Sequence, residues 1–132
     1  MAETFDTTVR FVFDFEDVVS SNLRLQPGRS GRFHNSPRYA AALDRLYLKA
    51  RAQLDHPPRP TKGVPWSVLI RIRPPDNRRR DTTNFIKILL DALEDVIYKD
   101  DTMVHDLRIV REPAEGHERS CVLLHATPMR SQ

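Results

Sequence analysis

Four stretches of this chain alternate apolar and polar residues at the period of a strand, and two repeat them at the period of a helix. Residues 8–15 place Val9, Phe11, Phe13 and Phe15 on one side, which predicts a half-buried strand. Residues 65–73 repeat the pattern, with Trp66, Val68, Ile70 and Ile72 facing a core and Arg71 and Arg73 facing outward. Two more strands are expected, at 103–111 and, after a Pro-Ala-Glu-Gly turn, at about 118–127. Ser36-Pro37 is a good helix start, and Tyr39, Leu43, Leu46, Tyr47 and Ala50 form an apolar stripe to about residue 54, where a proline-rich run stops the helix. A second helix is expected over residues 82–97, with Phe85, Leu89, Ala92, Leu93 and Val96 on its apolar side. Residues 16–36 show no period and are rich in Gly, Pro, Ser and Arg, the signature of a loop. The order β-α-β-α-β-β predicts an α+β fold, a mixed four-stranded sheet with two helices on one face.

The length, 132 residues, suits one domain spanning 1–132. Hydrophobic residues make up 39% and charged residues 30%, which describes a charged globular protein and argues against disorder. No apolar run approaches the ~20 residues of a membrane span, and the first residues lack the layout of a signal peptide. Cys121 is the single cysteine, so no internal disulfide forms, and a reducing cytoplasm with Cys121 as a small core residue fits best.

The net charge of +3 is modest, but its distribution is uneven. Arg71, Arg73, Arg78, Arg79 and Arg80 fall within ten residues, and the loop before the first helix carries Asn22, Arg24, Arg29, Arg32 and His34. Arginine binds phosphate in bidentate fashion, so these residues are candidates for holding a nucleic-acid backbone. The arginine run leads directly into Asp81, and the helix that follows brings Asn84, Lys87 and Asp91 to one side. Each of these has an ordinary explanation as a cap, an i,i+4 ion pair or a turn. Asp100 and Asp101 close the segment. Cations beside carboxylates are what a site needs to hold a polyanion and a divalent metal together. Other chemistry is weaker: His105 and Asp106 are adjacent on a strand and point to opposite faces. His34, His117 and His125 lack zinc spacing.

The full arrangement resembles the RusA family of Holliday-junction endonucleases. Residues 75–110 carry the resemblance, as Arg-rich, then Asp81-x-Thr83-Asn84-x-x-Lys87, Asp91-Ala92-Leu93, and Tyr98-Lys99-Asp100-Asp101-x-Met103-Val104. The resemblance implies a small homodimer that binds branched DNA and nicks two strands at a four-way junction with Mg²⁺ or Mn²⁺, without a membrane or a nucleotide cofactor. The family's essential acids map onto Asp81, Thr83 and Asp101, and its essential lysine onto Lys87. Asp100 is a further possible ligand, and Asp91 a supporting residue. Arg73, Arg78, Arg79, Arg80, Arg29, Arg32 and Asn84 are the expected DNA contacts.

Two positions depart from the family pattern: Thr83 stands where it has a second aspartate, and Met103 where it has glutamine. A hydroxyl can ligate Mg²⁺ but brings no charge, so weaker metal affinity is expected. The alternative reading is a junction-binding or regulatory module with a degenerate metal site and little cleavage. A straight helix over residues 82–97 would also be ~24 Å long and hold Asp81 and Asp101 too far apart to share one metal within a chain. That distance leaves two arrangements, a shorter helix or a site shared between subunits.

Overall fold

A computed structural model describes residues 7–19, 25–27, 33–35, 37–79 and 86–129. Four strands form one sheet: β1 (Val9–Asp14), β4 (Trp66–Arg73), β5 (Val104–Arg111) and β6 (Cys121–Pro128). Their spatial order is β1-β6-β4-β5. β6 runs antiparallel to both β1 and β4, whereas β4 and β5 are parallel, so the sheet is mixed. Helices α2 (Pro37–Ala52) and α3 (Ile86–Ala92) pack against one another, and α2 also touches β1. The α+β class and the four expected strands of the sheet are therefore present.

The loop expected over 16–36 is only partly a loop. Phe15–Val19 forms a short helix, α1, and Leu25–Pro27 (β2) and Phe33–Asn35 (β3) pair as an antiparallel ribbon. Segments of three to five residues are too short to display a period, which is why the pattern missed them. Ser36, expected as the cap of α2, lies outside the described residues.

The alternating strands bury the expected faces. Phe11, Phe13, Val68, Ile70, Ile72, Val122 and Leu124 are sealed from solvent, and so are Tyr39, Leu46 and Ala50 of α2. Arg71 and Arg73 project from the other face of β4, where both pair with Glu112 just beyond β5. Cys121, expected in the core, is only half-buried and free, because its place in β6 alternates with the buried Val122.

The second helix differs most. It was expected to reach residue 97 but ends at Ala92, giving ~10 Å of helix. Leu93 and Glu94 already donate to Leu90 and Asp91, three residues back, so the last turn tightens. Asp95 then adopts φ 64°, a left-handed conformation that aspartate tolerates better than most residues. Its N–H donates to the Tyr98 carbonyl at 2.7 Å and closes the reversal. The Tyr98 ring is fully buried, and its hydroxyl donates to the Leu90 carbonyl at 2.6 Å. Thr61 secures the far side: its N–H donates to Ile97, and its carbonyl accepts from Lys99. Val96 and Ile97 continue the helical spacing of apolar residues yet fill the core from this reversed segment.

Candidate active site

The reversal after Ala92 determines which side chains meet. It returns the chain toward α3, and Asp101 reaches Lys87. The Lys87 Nζ lies 2.5 Å from Asp101 Oδ2 and 2.9 Å from Asp91 Oδ1. The second contact is the i,i+4 pair expected on one helix face. Two of the expected site residues and the supporting Asp91 therefore converge within one chain, and the shorter helix is the arrangement adopted.

Asp91 is held from two directions. Its Oδ2 accepts from the buried Tyr39 hydroxyl at 2.6 Å, which ties the site to α2. Its side chain is 18% exposed and that of Asp101 is 19% exposed, against 51% for Lys87. The carboxylates are thus set in a partly desolvated wall while the ammonium reaches solvent. The Asp101 hydrogen bond, followed by Asp91, holds the Lys87 ammonium far above its ordinary pKa despite the opposing effect of burial, so it remains charged.

A third acid, Glu94, joins this group. One carboxylate oxygen each from Asp91, Glu94 and Asp101 lie within 4.8 Å of one another. Ligand atoms in an octahedral Mg²⁺ shell at ~2.1 Å stand roughly 3–4 Å apart, so a small contraction would make these oxygens a suitable hard donor set. Burial pushes the Glu94 carboxyl above its ordinary pKa, and repulsion from Asp91 and Asp101 adds to the shift. The sequence pattern had assigned Glu94 no role. Its spacing of three from Asp91 was a usable signal, but only the end of α3 directs it toward Asp101.

Asp100, considered as a further ligand, has a structural partner in the adjoining turn. It caps the short 3₁₀ turn Asp101–Met103, with its side chain accepting from the Thr102 N–H at 2.9 Å. That bond holds its carboxyl below the usual range, and it stands outside the three-acid group. Arg73, expected to contact DNA, is engaged by Glu112, with Nη2 3.1 Å from Oε1. Arg78 and Arg79 are exposed. The Arg78 carbonyl accepts from the Arg111 guanidinium at 2.9 Å, which fixes the backbone there without using the Arg78 side chain. Asp81, Thr83, Asn84, Arg80, Arg29 and Arg32 lie outside the described residues. Among the described residues, Asp91, Glu94 and Asp101 are the one group of acids, histidines or cysteine arranged to hold a metal.

A mixed-sheet α+β domain bearing a carboxylate cluster with a lysine at its rim has the donors and the cation that phosphodiester chemistry uses. Comparison with known families gives the class directly: residues 14–120 match the family model described as Endodeoxyribonuclease RusA. The chain belongs to the RusA endodeoxyribonuclease family, a family of DNA nucleases that resolve Holliday junctions. No curated protein matches the chain. Among the described residues, no helix is long and apolar enough to cross a membrane.

Proposed function

We propose that this protein is a divalent-metal-dependent endonuclease that resolves four-way DNA junctions by paired hydrolysis of phosphodiesters, in recombination or repair, acting as a cytoplasmic homodimer. The observation that carries this reading is the meeting of Lys87, Asp91 and Asp101 at the end of α3, within a chain of a nuclease family. Asp101 and Asp91 would hold Mg²⁺ or Mn²⁺, with Asp81 supplied from the segment before α3. When bound, the metal supplies Lewis-acid polarisation of the phosphate and of water. Asp91 orients its donor oxygens through the Tyr39 hydroxyl. Lys87, more exposed than its partners and cationic, stabilises negative charge on the phosphate or on the leaving oxygen. Arg78, Arg79 and Arg80 hold neighbouring phosphates without reading bases. Arg73 is reserved for Glu112 and contributes by fixing the edge of the sheet.

A synthetic four-way junction tests this reading. Symmetric nicks with Mg²⁺ or Mn²⁺, abolished by chelator, support it. A shifted but uncut band supports the alternative, a junction-binding module whose metal site is weakened by Thr83, and a gain of cutting in Thr83→Asp would identify that residue as the limit. Absence of any shift at low salt would sink both readings, since phosphate contacts strengthen as salt falls.

A further inference from the structure

We propose that Glu94 is a ligand of the divalent cation in this site. The inference rests on the metal-dependent reading above and names one more residue of the same centre. Three observations carry it.

The first is pairing. Asp91 and Asp101 share the Lys87 ammonium, whereas Glu94 has no cation within ion-pair distance among the described residues. Its hydrogen bond there is a long one, 3.3 Å from the Asp101 N–H to Oε1. A half-buried carboxylate with spare acceptor capacity faces two other carboxylates.

The second is charge. Three carboxylates and one ammonium leave two net negative charges, which one divalent cation balances. The location makes the imbalance worse: α3 has no basic residue in its last turn, and Glu94 lies just beyond it, where the helix dipole disfavours an acid. A resident cation would reverse that penalty.

The third is placement. The Glu94 backbone is fixed by its N–H bond to the Asp91 carbonyl and by a bridge to Tyr98. These contacts hold its backbone beside the turn that carries Asp101, which reduces the ordering entropy that opposes ligation.

Glu94→Gln separates ligation from a merely structural role. The amide keeps an oxygen to accept the Asp101 N–H but removes the charge. Mn²⁺ binding to the full chain would be followed by titration calorimetry, together with thermal unfolding in chelator. Glu94→Gln is expected to weaken Mn²⁺ binding about tenfold or more, since loss even of outer-shell partners costs ~10–100-fold. Its metal-free Tm should be unchanged or higher. Asp95→Asn removes the same charge one residue away and keeps a side chain that tolerates the left-handed turn. It should bind Mn²⁺ within about twofold of the wild type if the effect belongs to the ligand set rather than to general attraction. Equal affinities of wild type and Glu94→Gln overturn the proposal and leave the metal-dependent reading standing. An equal loss in Asp95→Asn also overturns it. A wild-type chain that binds no Mn²⁺ overturns the metal-dependent reading itself.

Discussion

Two lysines in this molecule each sit between two aspartates, and the surroundings give them different work. Lys49, near the end of α2, pairs with Asp14 at 3.2 Å and with Asp17. Asp14 is 78% exposed, so much of that attraction is screened by water. Lys87 has the same immediate partners in kind, but both of its aspartates are about four-fifths buried, a third carboxylate faces them, and a tyrosine holds one from behind. The first arrangement fastens α1 and β1 to α2. The second concentrates negative charge against a wall and leaves the lysine half-exposed. The two lysines therefore differ in whether a third carboxylate joins the pair: Asp14 and Asp17 stand as a pair at Lys49, whereas Glu94 joins Asp91 and Asp101 beside Lys87.

Substitutions at the two lysines should separate these roles most strongly. Lys87→Ala is expected to lower junction cleavage by about 10²-fold or more, the scale of losing one preorganised electrostatic group. Lys49→Met should cut within about twofold of the wild type. Equal losses in single-turnover assays would break the contrast. Tyr39→Phe comes next. It removes the hydroxyl donor to Asp91 and should cost about 1–2 kcal/mol in denaturant unfolding, with a several-fold loss of cleavage rate. Loss of stability without loss of rate would confine Tyr39 to the fold.

The inverse cluster, two arginines on one carboxylate, provides a pH test. Hydrogen bonding from Arg71, reinforced by Arg73, lowers the Glu112 pKa below its ordinary 4.5. The folded state thus favours the charged form, so the stabilisation is present above pH 4.5 and is lost as pH falls through the lower folded value. Glu112→Gln should lower Tm by about 2–4 °C at neutral pH and show a smaller further decline in acid than the wild type. Parallel acid profiles would show that the pair contributes nothing. The smallest effect belongs to Lys49. Its pKa is raised above 10.5 chiefly by the Asp17 hydrogen bond. Its contribution is full below pH 10.5 and fades as pH rises through the folded value. Lys49→Met should cost no more than ~1 kcal/mol at neutral pH and lose its difference from wild type in alkali.

The strands were legible because each buries one face over six or eight residues, long enough for a period of two to stand out. β5 was legible from its alternation of apolar and polar residues alone, since none of its residues is fully buried and Leu107 and Ile109 remain 40% and 37% exposed at its open edge. Lys87, Asp91 and Asp101 were legible as chemistry, and the first two as neighbours, because i,i+4 spacing needs no tertiary information. The end of α3 was not legible. Leu93, Val96 and Ile97 satisfy a helical pattern and a buried reversal equally well, since periodicity reports which residues are apolar and not where the backbone turns. The role of Glu94 was hidden by the same ambiguity.

Sequence alone determined the class of protein, the alternation that builds the sheet, and the supply of acids and cations around Lys87, because these depend on residue type and on separations of a few residues. Tertiary structure decided that the helix stops at Ala92, that Asp101 returns to Lys87 and that Arg73 goes to Glu112. Those outcomes depend on contacts such as Thr61 with Ile97 and Lys99 and Arg73 with Glu112, which join residues 36 or more apart, and no local pattern encodes such partners.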